Sequence, residues 1–476
     1  MQRHFTPFAR IGAFLRSCFY WDKPFIRHLL WLCLPMILQD LMAASLHIVD
    51  GMMVSGLGDA AYSAVMQANR FTFLVQLFIF GIATGSAIFL SQYWGIRDIS
   101  RMRHSMGLAL VLSCLLSLFF SLVGILFPRQ IIRLFLPPGE SFELAVQYLR
   151  LVSPSYMLSA IGFVYAASLK AAEKTHLPML SVSISLVIDT LLSYAMIYGL
   201  AGFPAMGVEG AAVGTIIGSA ICMCLNLAFA YGKKLPAGAP LRDLICRDRA
   251  FIRKFIKTVV PVIFNEGLWA LGVMMYSIFY GTMGDVSVSA VGVCTTVGDL
   301  MWVFIMAITN ASAIMVGKTL GQGDKETAYL YGKRLLAGGV ALGVLLGGLM
   351  IAFHTPLVGL FGGLSDAARS SAARLITIAA LFLWLRSFNC INVVGLLRSG
   401  GDTVFSLVLD VGAMWCIGVP AVGIAALVLH WPIEYVYLCT LLDEVVKLII
   451  GIPHFYHRKW MNILTDSKEV SHFGNA

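Results

Sequence analysis

Long apolar runs alternate with short polar segments over most of the chain. Each run has about 19 residues or more, which is the length that an α-helix needs to cross a bilayer. The pattern predicts an all-α polytopic membrane protein with twelve transmembrane helices. The predicted spans cover residues 28–54, 63–92, 105–127, 151–169, 178–200, 208–231, 258–281, 287–317, 335–356, 375–397, 403–428 and 432–456.

The composition supports a membrane protein and excludes a soluble globule. Of the 476 residues, 59% are hydrophobic and only 12% are charged, and the mean hydropathy is +0.83. Soluble domains carry about twice that share of charged residues. The chain shows no nucleotide-binding motif and no clustered His, Cys or Ser constellation. We therefore expect a protein that is not an enzyme and needs no cofactor.

The basic residues indicate the orientation of the chain in the membrane. Of the 34 Lys and Arg residues, 26 lie in the two tails and in the even-numbered loops between spans. Because cytoplasmic loops are enriched in Lys and Arg, both termini are expected in the cytoplasm, with the chain in the plasma (inner) membrane. The net charge of +9 is thus explained by topology, and no nucleic-acid partner is expected.

The chain contains an internal repeat with an offset of 226 residues. Residues 35–98 align without a gap on residues 261–324, with 17 of 64 positions identical. The coinciding pairs include Pro35/Pro261, Gly58/Gly284, Asp59/Asp285 and Asp98/Asp324. The repeat predicts two pseudo-symmetric six-helix lobes, over 1–232 and 258–476, joined by a basic cytoplasmic linker over 233–257.

The repeat also indicates a transport mechanism. Each copy holds an even number of spans, so the copies share one membrane orientation and are related by an axis along the membrane normal. Two such bundles enclose a cleft whose walls can rock, which favours alternating access. A single chain holds both lobes, so we expect it to function as a monomer.

Two acidic residues inside the predicted spans are the main candidates for function. Asp189 lies within an uncharged run over 178–200, where a charge costs about 2.5–3.5 kcal/mol on insertion scales. Asp50 lies near the outer end of the first span and shares a helical arc of about 80° with Asp40 and His47. If Asp50 and Asp189 are close together, each favours a proton or cation on the other.

The remaining intramembrane polar residues leave alternatives open. Asp40 aligns with Glu266 in the repeat, so both are either functional or hinge residues. Asp443 and Lys447, at i,i+4, form either a self-neutralising helix face or part of a site. Arg386 is the expected counter-ion of either Glu266 or Asp410.

Several stretches resemble the multidrug and toxic compound extrusion (MATE) transporters of the MOP flippase superfamily. They are LVIDTLLSYAMIYGLAGFPAMGVEGAAVGT (186–215), LPMILQDLMAASLHIVDGMMVSGLG (34–58) and LLRSGGDT (396–403). The resemblance implies a two-lobed antiporter that exports cationic or amphipathic small molecules in exchange for H⁺ or Na⁺. Asp50 and Asp189 match the acids of the proton or sodium site, which makes them the expected coupling pair.

The chain departs from the family pattern at several positions. Ser185 stands where these transporters commonly have an asparagine, and Ser387 stands where one sodium-coupled branch has an acid. A second-lobe sodium site is therefore not expected. The auxiliary cavity residues are Asp40, His47, Ser185, Glu266, Asp299, Asn389 and Asp410.

The alternative function within transport is a flippase for lipid-linked oligosaccharides or other lipids. Such a cavity would be basic, because it meets a pyrophosphate, whereas the polar set here is mostly acidic. The sequence therefore favours efflux of cationic or amphipathic small molecules.

Overall fold

The computed structural model describes residues 21–200, 202–359, 361 and 364–465. The described residues form helices and turns and contain no β-strand. The basic N-terminal tail over residues 1–20 and the last residues, 466–476, lie outside the described part of the chain.

The helices of the first half are mostly long enough to span a bilayer. In chain order they are α1 (Lys23–Ser55), α2 (Asp59–Gly95), α3 (Ile99–Leu126), α4 (Pro128–Ile132), α5 (Glu140–Val152), α6 (Ser155–Ala171), α7 (His176–Tyr198), α8 (Val208–Gly232) and α9 (Leu241–Leu244). The predicted span over 151–169 begins before a bend of 47° between α5 and α6, so the two helices together make one span.

The second half repeats the pattern with more irregular helices. They are α10 (Arg249–Gly281), α11 (Asp285–Gly321), α12 (Lys325–Gly359), α13 (Asp366–Leu381), α14 (Leu383–Cys390), α15 (Thr403–Ala413), α16 (Val419–Gly423), α17 (Ile433–Cys439) and α18 (Leu442–Tyr456). Three π-helical segments, Ile391–Leu397, Met414–Gly418 and Ile424–Val428, extend α14, α15 and α16.

The span count depends on how bent helices are treated. Within the described residues, nine helices are long and apolar enough to cross a membrane, and two bent pairs raise the number to eleven. The second pair, α13 with α14 and its π-helical extension, bends by 48°. The predicted twelfth span, over 432–456, is divided into α17 and α18.

The internal repeat appears as matched local structure. Gly58 and Gly284, which precede α2 and α11, have φ angles of 105° and 91°, a backbone region that favours glycine. Asp98 caps α3 by accepting a hydrogen bond from the Arg101 amide at 2.9 Å. Asp324 accepts one from the Thr327 amide at 2.9 Å. Asp98 and Asp324 therefore cap the following helices at corresponding positions of the two copies.

Contacts divide the described residues into two compact units. Residues 35–267 form the N-terminal unit, and residues 21–34 with the described part of 268–465 form the C-terminal unit. This division differs from lobes over 1–232 and 258–476, because it cuts inside α1 and α10.

Aromatic and ionic contacts account for these boundaries. The first turns of α1 belong with α12, since Arg334 pairs with Asp22 at 3.4 Å and its guanidinium lies 5.3 Å from the Phe25 ring. The first turns of α10 belong with α2, since Phe255 packs on Phe89 at 5.2 Å.

The segment predicted to be a basic cytoplasmic linker, over residues 233–257, packs against the N-terminal unit. Arg103 of α3 pairs with Asp243 at 2.6 Å, and Arg101 pairs with Asp248 at 3.1 Å. The hydrogen bond from Arg101 helps to hold the pKa of Asp248 below its usual range. Gly107 provides the space, since a Cβ there would lie 1.8 Å from the Leu244 carbonyl oxygen.

The Asp324 cap yields a prediction about stability. Asp324→Ala is expected to destabilise the protein by about 1 kcal/mol, because the Thr327 amide loses its acceptor, whereas Asp324→Ser keeps one. Hydrogen bonds from Thr327 hold the pKa of Asp324 below its ordinary value. The difference in thermal unfolding between wild type and the alanine variant should therefore be full at neutral pH and shrink as acid protonates the carboxylate. Equal melting of the alanine and serine variants at pH 7 contradicts this assignment.

Candidate functional site

Two hydroxyl groups connect α1 to α7 in the N-terminal unit. Thr190 donates a hydrogen bond from Oγ1 to Oδ1 of Asp50 at 3.3 Å. About one turn farther along α1 and about two turns farther along α7, the Tyr198 hydroxyl donates to the Met53 carbonyl at 2.8 Å. These contacts place the Asp50 carboxyl group beside the residue that follows Asp189.

The Asp189 carboxyl group lies against a glycine surface on α8. A Cβ on Gly218 would lie 2.7 Å from the Asp189 Cβ, and a Cβ on Gly214 would lie 3.1 Å from its Oδ1. Ser193, one turn along α7, donates a hydrogen bond to the same Oδ1 at 3.2 Å. Small residues let membrane helices approach closely, and here they make room for the aspartate between α7 and α8.

Asp50 and Asp189 are close enough for their charges to interact. Both side chains are partly buried, and within the described part of the chain neither forms an ion pair with Lys or Arg. Their hydrogen-bond donors are the neutral hydroxyls of Thr190 and Ser193. A pair of carboxylates without a basic partner can hold a proton or a cation. The coupling role itself stays a prediction.

A shell of tyrosines and amides in the same unit was missed by the sequence analysis. The Tyr148 hydroxyl donates to Asn69 Oδ1 at 3.3 Å, and Tyr148 is within electrostatic reach of both Asp50 and Asp189. Thr72 and the Tyr156 hydroxyl are 2.9 Å apart. The polar residues Asn69 and Thr72 within the apolar helix α2 could have indicated this shell. The sequence alone does not show which neighbouring helix their side chains contact.

The auxiliary residues of the N-terminal unit lie in other surroundings. Asp40 accepts a hydrogen bond from its neighbour Gln39 at 3.1 Å and faces Lys170 electrostatically. Ser185 is buried and donates to the Val182 carbonyl at 2.9 Å. Glu266 is buried beside Gly81.

His47 does not hydrogen-bond to Asp50 in the described structure. Its side chain is exposed, and its influence on Asp50 is electrostatic. The spacing of three residues along α1 makes His47 a candidate hydrogen-bond partner of Asp50, and this hydrogen bond is not formed in the described part of the chain. Of the three residues predicted to share one arc of the first span, His47 is an electrostatic neighbour of Asp50. Asp40 has other neighbours, Gln39 and Lys170.

The C-terminal unit gathers a second polar cluster around Lys447. Its ammonium lies 2.8 Å from Asp410, 3.0 Å from Asp443 and 3.7 Å from Glu444. Asn389 donates to Glu444 Oε2 at 2.7 Å. The prediction of a self-neutralising helix face formed by Asp443 and Lys447 was incomplete, because Asp410 of another helix also pairs with Lys447.

Arg386 has different neighbours from those expected. Its guanidinium lies 5.5 Å from the Trp302 ring. It is also within electrostatic reach of Asp299, which is exposed. Asp410 forms its ion pair with Lys447. The sequence analysis offered Asp410 or Glu266 as the counter-ion of Arg386, and Asp410 forms no salt bridge with it in the described structure.

Comparison with known proteins identifies the family. The MatE family profile matches residues 35–195 and 261–436, one match in each copy of the repeat. The chain belongs to the MatE family. It is accordingly a membrane transporter and not an enzyme.

Relatives and solved structures agree with this assignment. The MatE chain is 23% identical to the probable multidrug resistance protein YoeA of Bacillus subtilis, over 81% of this chain and 84% of that protein. It is 22% identical to the probable multidrug resistance protein NorM of Thermotoga maritima, over 92% and 94%. An outward-facing multidrug resistance MATE family transporter superposes with a TM-score of 0.81 at 19% identity, covering 91% of this chain and 96% of that one. The predicted all-α fold of twelve helices in two lobes is thereby confirmed.

The glycine surface of this MatE protein yields a prediction. Gly218→Ala should displace the Asp189 side chain, because the new Cβ would lie 2.7 Å from the aspartate Cβ. We expect transport of a fluorescent cation into inverted vesicles to fall at least about tenfold, since overpacking costs about 1–3 kcal/mol at the affected position. Gly232→Ala on the same helix is the matched control, because nothing lies within 4 Å of its Cβ position. Equal transport by the two variants would show that the packing against Gly218 is dispensable.

Proposed function

We propose that this MatE transporter is a secondary active antiporter that exports cationic or amphipathic small molecules by alternating access. Protons enter in exchange, and Asp50 and Asp189 bind them in turn with the cargo. The observation that carries the proposal is an acidic pair between α1 and α7 that is hydrogen-bonded only to hydroxyl groups in the described structure. The relatives named multidrug resistance proteins support the substrate class.

The surroundings of Asp189 favour a proton over Na⁺ as the coupling ion. One carboxyl oxygen suffices for a proton, whereas hard metal cations take several oxygen ligands at once. Gly214 and Gly218 lie next to the Asp189 side chain and supply no side-chain oxygen. The nearby oxygen atoms that could coordinate a metal cation are the hydroxyls of Thr190 and Ser193 and the oxygens of the two carboxyl groups. Sodium coupling is the alternative that the experiment below distinguishes.

Charge argues against the flippase alternative. A lipid-linked oligosaccharide presents a pyrophosphate, which Arg and Lys recognise through charge-assisted hydrogen bonds. Asp50 and Asp189 carry the opposite charge, and the ion pairs of Lys447 are with carboxylates. An acidic site suits a cationic cargo.

We also propose the cellular setting from charge and architecture. The distribution of Lys and Arg favours a plasma (inner) membrane protein with both termini in the cytoplasm. The two units belong to one chain, so a monomer suffices for transport.

The coupling role is tested by removing one charge at a time. Asp50→Asn and Asp189→Asn keep the shape of the side chain and remove its ability to carry a proton or cation, so each should reduce drug uptake driven by an imposed gradient at least about a hundredfold. Purified protein in liposomes is given a pH gradient or a Na⁺ gradient separately, with ethidium as the cargo. Asp59→Asn, at the start of α2, is the matched control and should transport normally.

The gradients separate the coupling ions. The proposal expects wild-type uptake with the pH gradient alone. Uptake driven only by Na⁺ would replace the proton with sodium, and normal ethidium transport by both asparagine variants would remove Asp50 and Asp189 from the mechanism.

A further inference from the structure

The Lys447 cluster of the C-terminal unit is buried and has an excess of acid. The side chains of Lys447 and Asp443 are 4% and 6% exposed, and those of Asp410 and Glu444 are 13% and 16% exposed. Three carboxyl groups therefore surround one ammonium. Arg386 adds positive charge nearby, since it is within electrostatic reach of Asp443 and Glu444, but it forms no salt bridge with them in the described residues. Among these described groups, three carboxyl groups therefore face two positive charges, those of Lys447 and Arg386.

Besides the amide oxygen of Asn389, two oxygens in this cluster have no hydrogen-bond partner in the described structure. They are Asp443 Oδ1 and the hydroxyl of Tyr276. Both groups lie at Gly418, where a Cβ would be 2.2 Å from the Tyr276 hydroxyl and 3.5 Å from the Asp443 Cγ. A buried, unpaired carboxylate oxygen is costly, and a proton on Oδ1 removes its charge and creates a donor beside the tyrosine oxygen.

Irregular helices surround the same point. Gly418 ends the π-helical segment Met414–Gly418, and Asn389, which donates to Glu444, lies two residues before the segment Ile391–Leu397. Single π-helical turns within α-helices occur frequently at functional sites. The cluster thus lies where two helices depart from regular α geometry.

The repeat shows what differs between the two units. Tyr276 occupies the position that Asp50 has in the first copy, at the offset of 226 residues. The described acidic pair of the N-terminal unit has no ammonium partner, whereas the C-terminal cluster contains its own ammonium at 2.8 Å from Asp410. An ammonium among three carboxylates takes the position that a bound metal cation would need.

We propose that the C-terminal unit is a second proton-binding site, in which Asp443 holds one proton and Lys447 excludes metal cations. The groups facing Asp443 are Tyr276, Arg386, Asp410, Glu444 and Lys447. The proposal does not depend on coupling by Asp50 and Asp189. Lys447 decides which ion this site accepts.

The proton is tested by infrared spectroscopy at pH 7. The full chain carries Asp50→Asn and Asp189→Asn, so that the N-terminal pair contributes nothing, and this protein is the parent. The parent should show the carbonyl band of a protonated carboxylic acid, shifted in D₂O. Asp443→Asn should remove a band that the matched variant Asp299→Asn retains. A band that is absent from the parent, or that survives Asp443→Asn, overturns the proton assignment.

The exclusion of metal cations is tested by thermal unfolding in NaCl against choline chloride. The parent and Lys447→Arg, which keeps the charge, should unfold at the same temperature in both salts. Lys447→Gln vacates the centre of the cluster, so Na⁺ should raise its Tm by about 2 °C or more. Stabilisation of the parent by Na⁺, or no response of the glutamine variant, overturns the role of Lys447.

A folding defect does not block the second test. If Lys447→Gln yields no protein, the double variant Lys447→Gln/Asp443→Asn removes one charge of each sign and still leaves Asp410 and Glu444 without an ammonium. The same Na⁺ response is expected of it, and its absence counts against the proposal.

Discussion

A carboxyl group inside a bilayer has to find its stabilising partners within the protein, because lipid offers none. Asp189 meets this constraint with very small neighbours. Gly214 and Gly218 let α8 approach the aspartate, and Ser193 supplies a neutral donor at 3.2 Å. A basic partner would have fixed the carboxylate in its charged form. Neutral partners leave it able to exchange a proton or a cation, which is the property that the proposed antiport requires.

The two units apply one duplicated plan to different chemistry. Matched features such as the caps Asp98 and Asp324 maintain the fold in both copies. The functional positions have diverged, since Asp50 corresponds to Tyr276 and the C-terminal carboxylates surround Lys447. Duplication therefore preserved helix starts and turns while the buried charges changed.

Much of the fold was predictable because burial in lipid imposes long apolar runs and because a repeat leaves matched Pro, Gly and Asp residues. Individual helix ends were less predictable. The bends of 47° between α5 and α6 and of 48° between α13 and α14 were not predicted. The division of α1 between the two units arises from contacts such as that of Asp22 with Arg334. These are tertiary effects that a single helix does not encode.

The candidate acids were predictable from their cost in the membrane, but their partners were not. A regular 100° per residue put Asp40 on the arc of Asp50, yet Asp40 faces Lys170 and Asp50 meets Thr190. Lys447 reaches Asp410 across helices through a region where π-helical turns change the register. A search for charged residues within apolar spans does not find hydroxyl donors or glycine contacts. The roles of Thr190, Ser193 and Gly218 were therefore found only in the structure.

The central claim is that cargo and coupling ion compete for the Asp50–Asp189 pair. Its most direct test is the equilibrium affinity of purified protein for ethidium, measured by fluorescence while the concentrations of H⁺ and Na⁺ are varied separately. The account predicts that affinity falls as the coupling ion rises, and that Asp189→Asn abolishes this dependence. Wild-type affinity that is independent of both ions would contradict it.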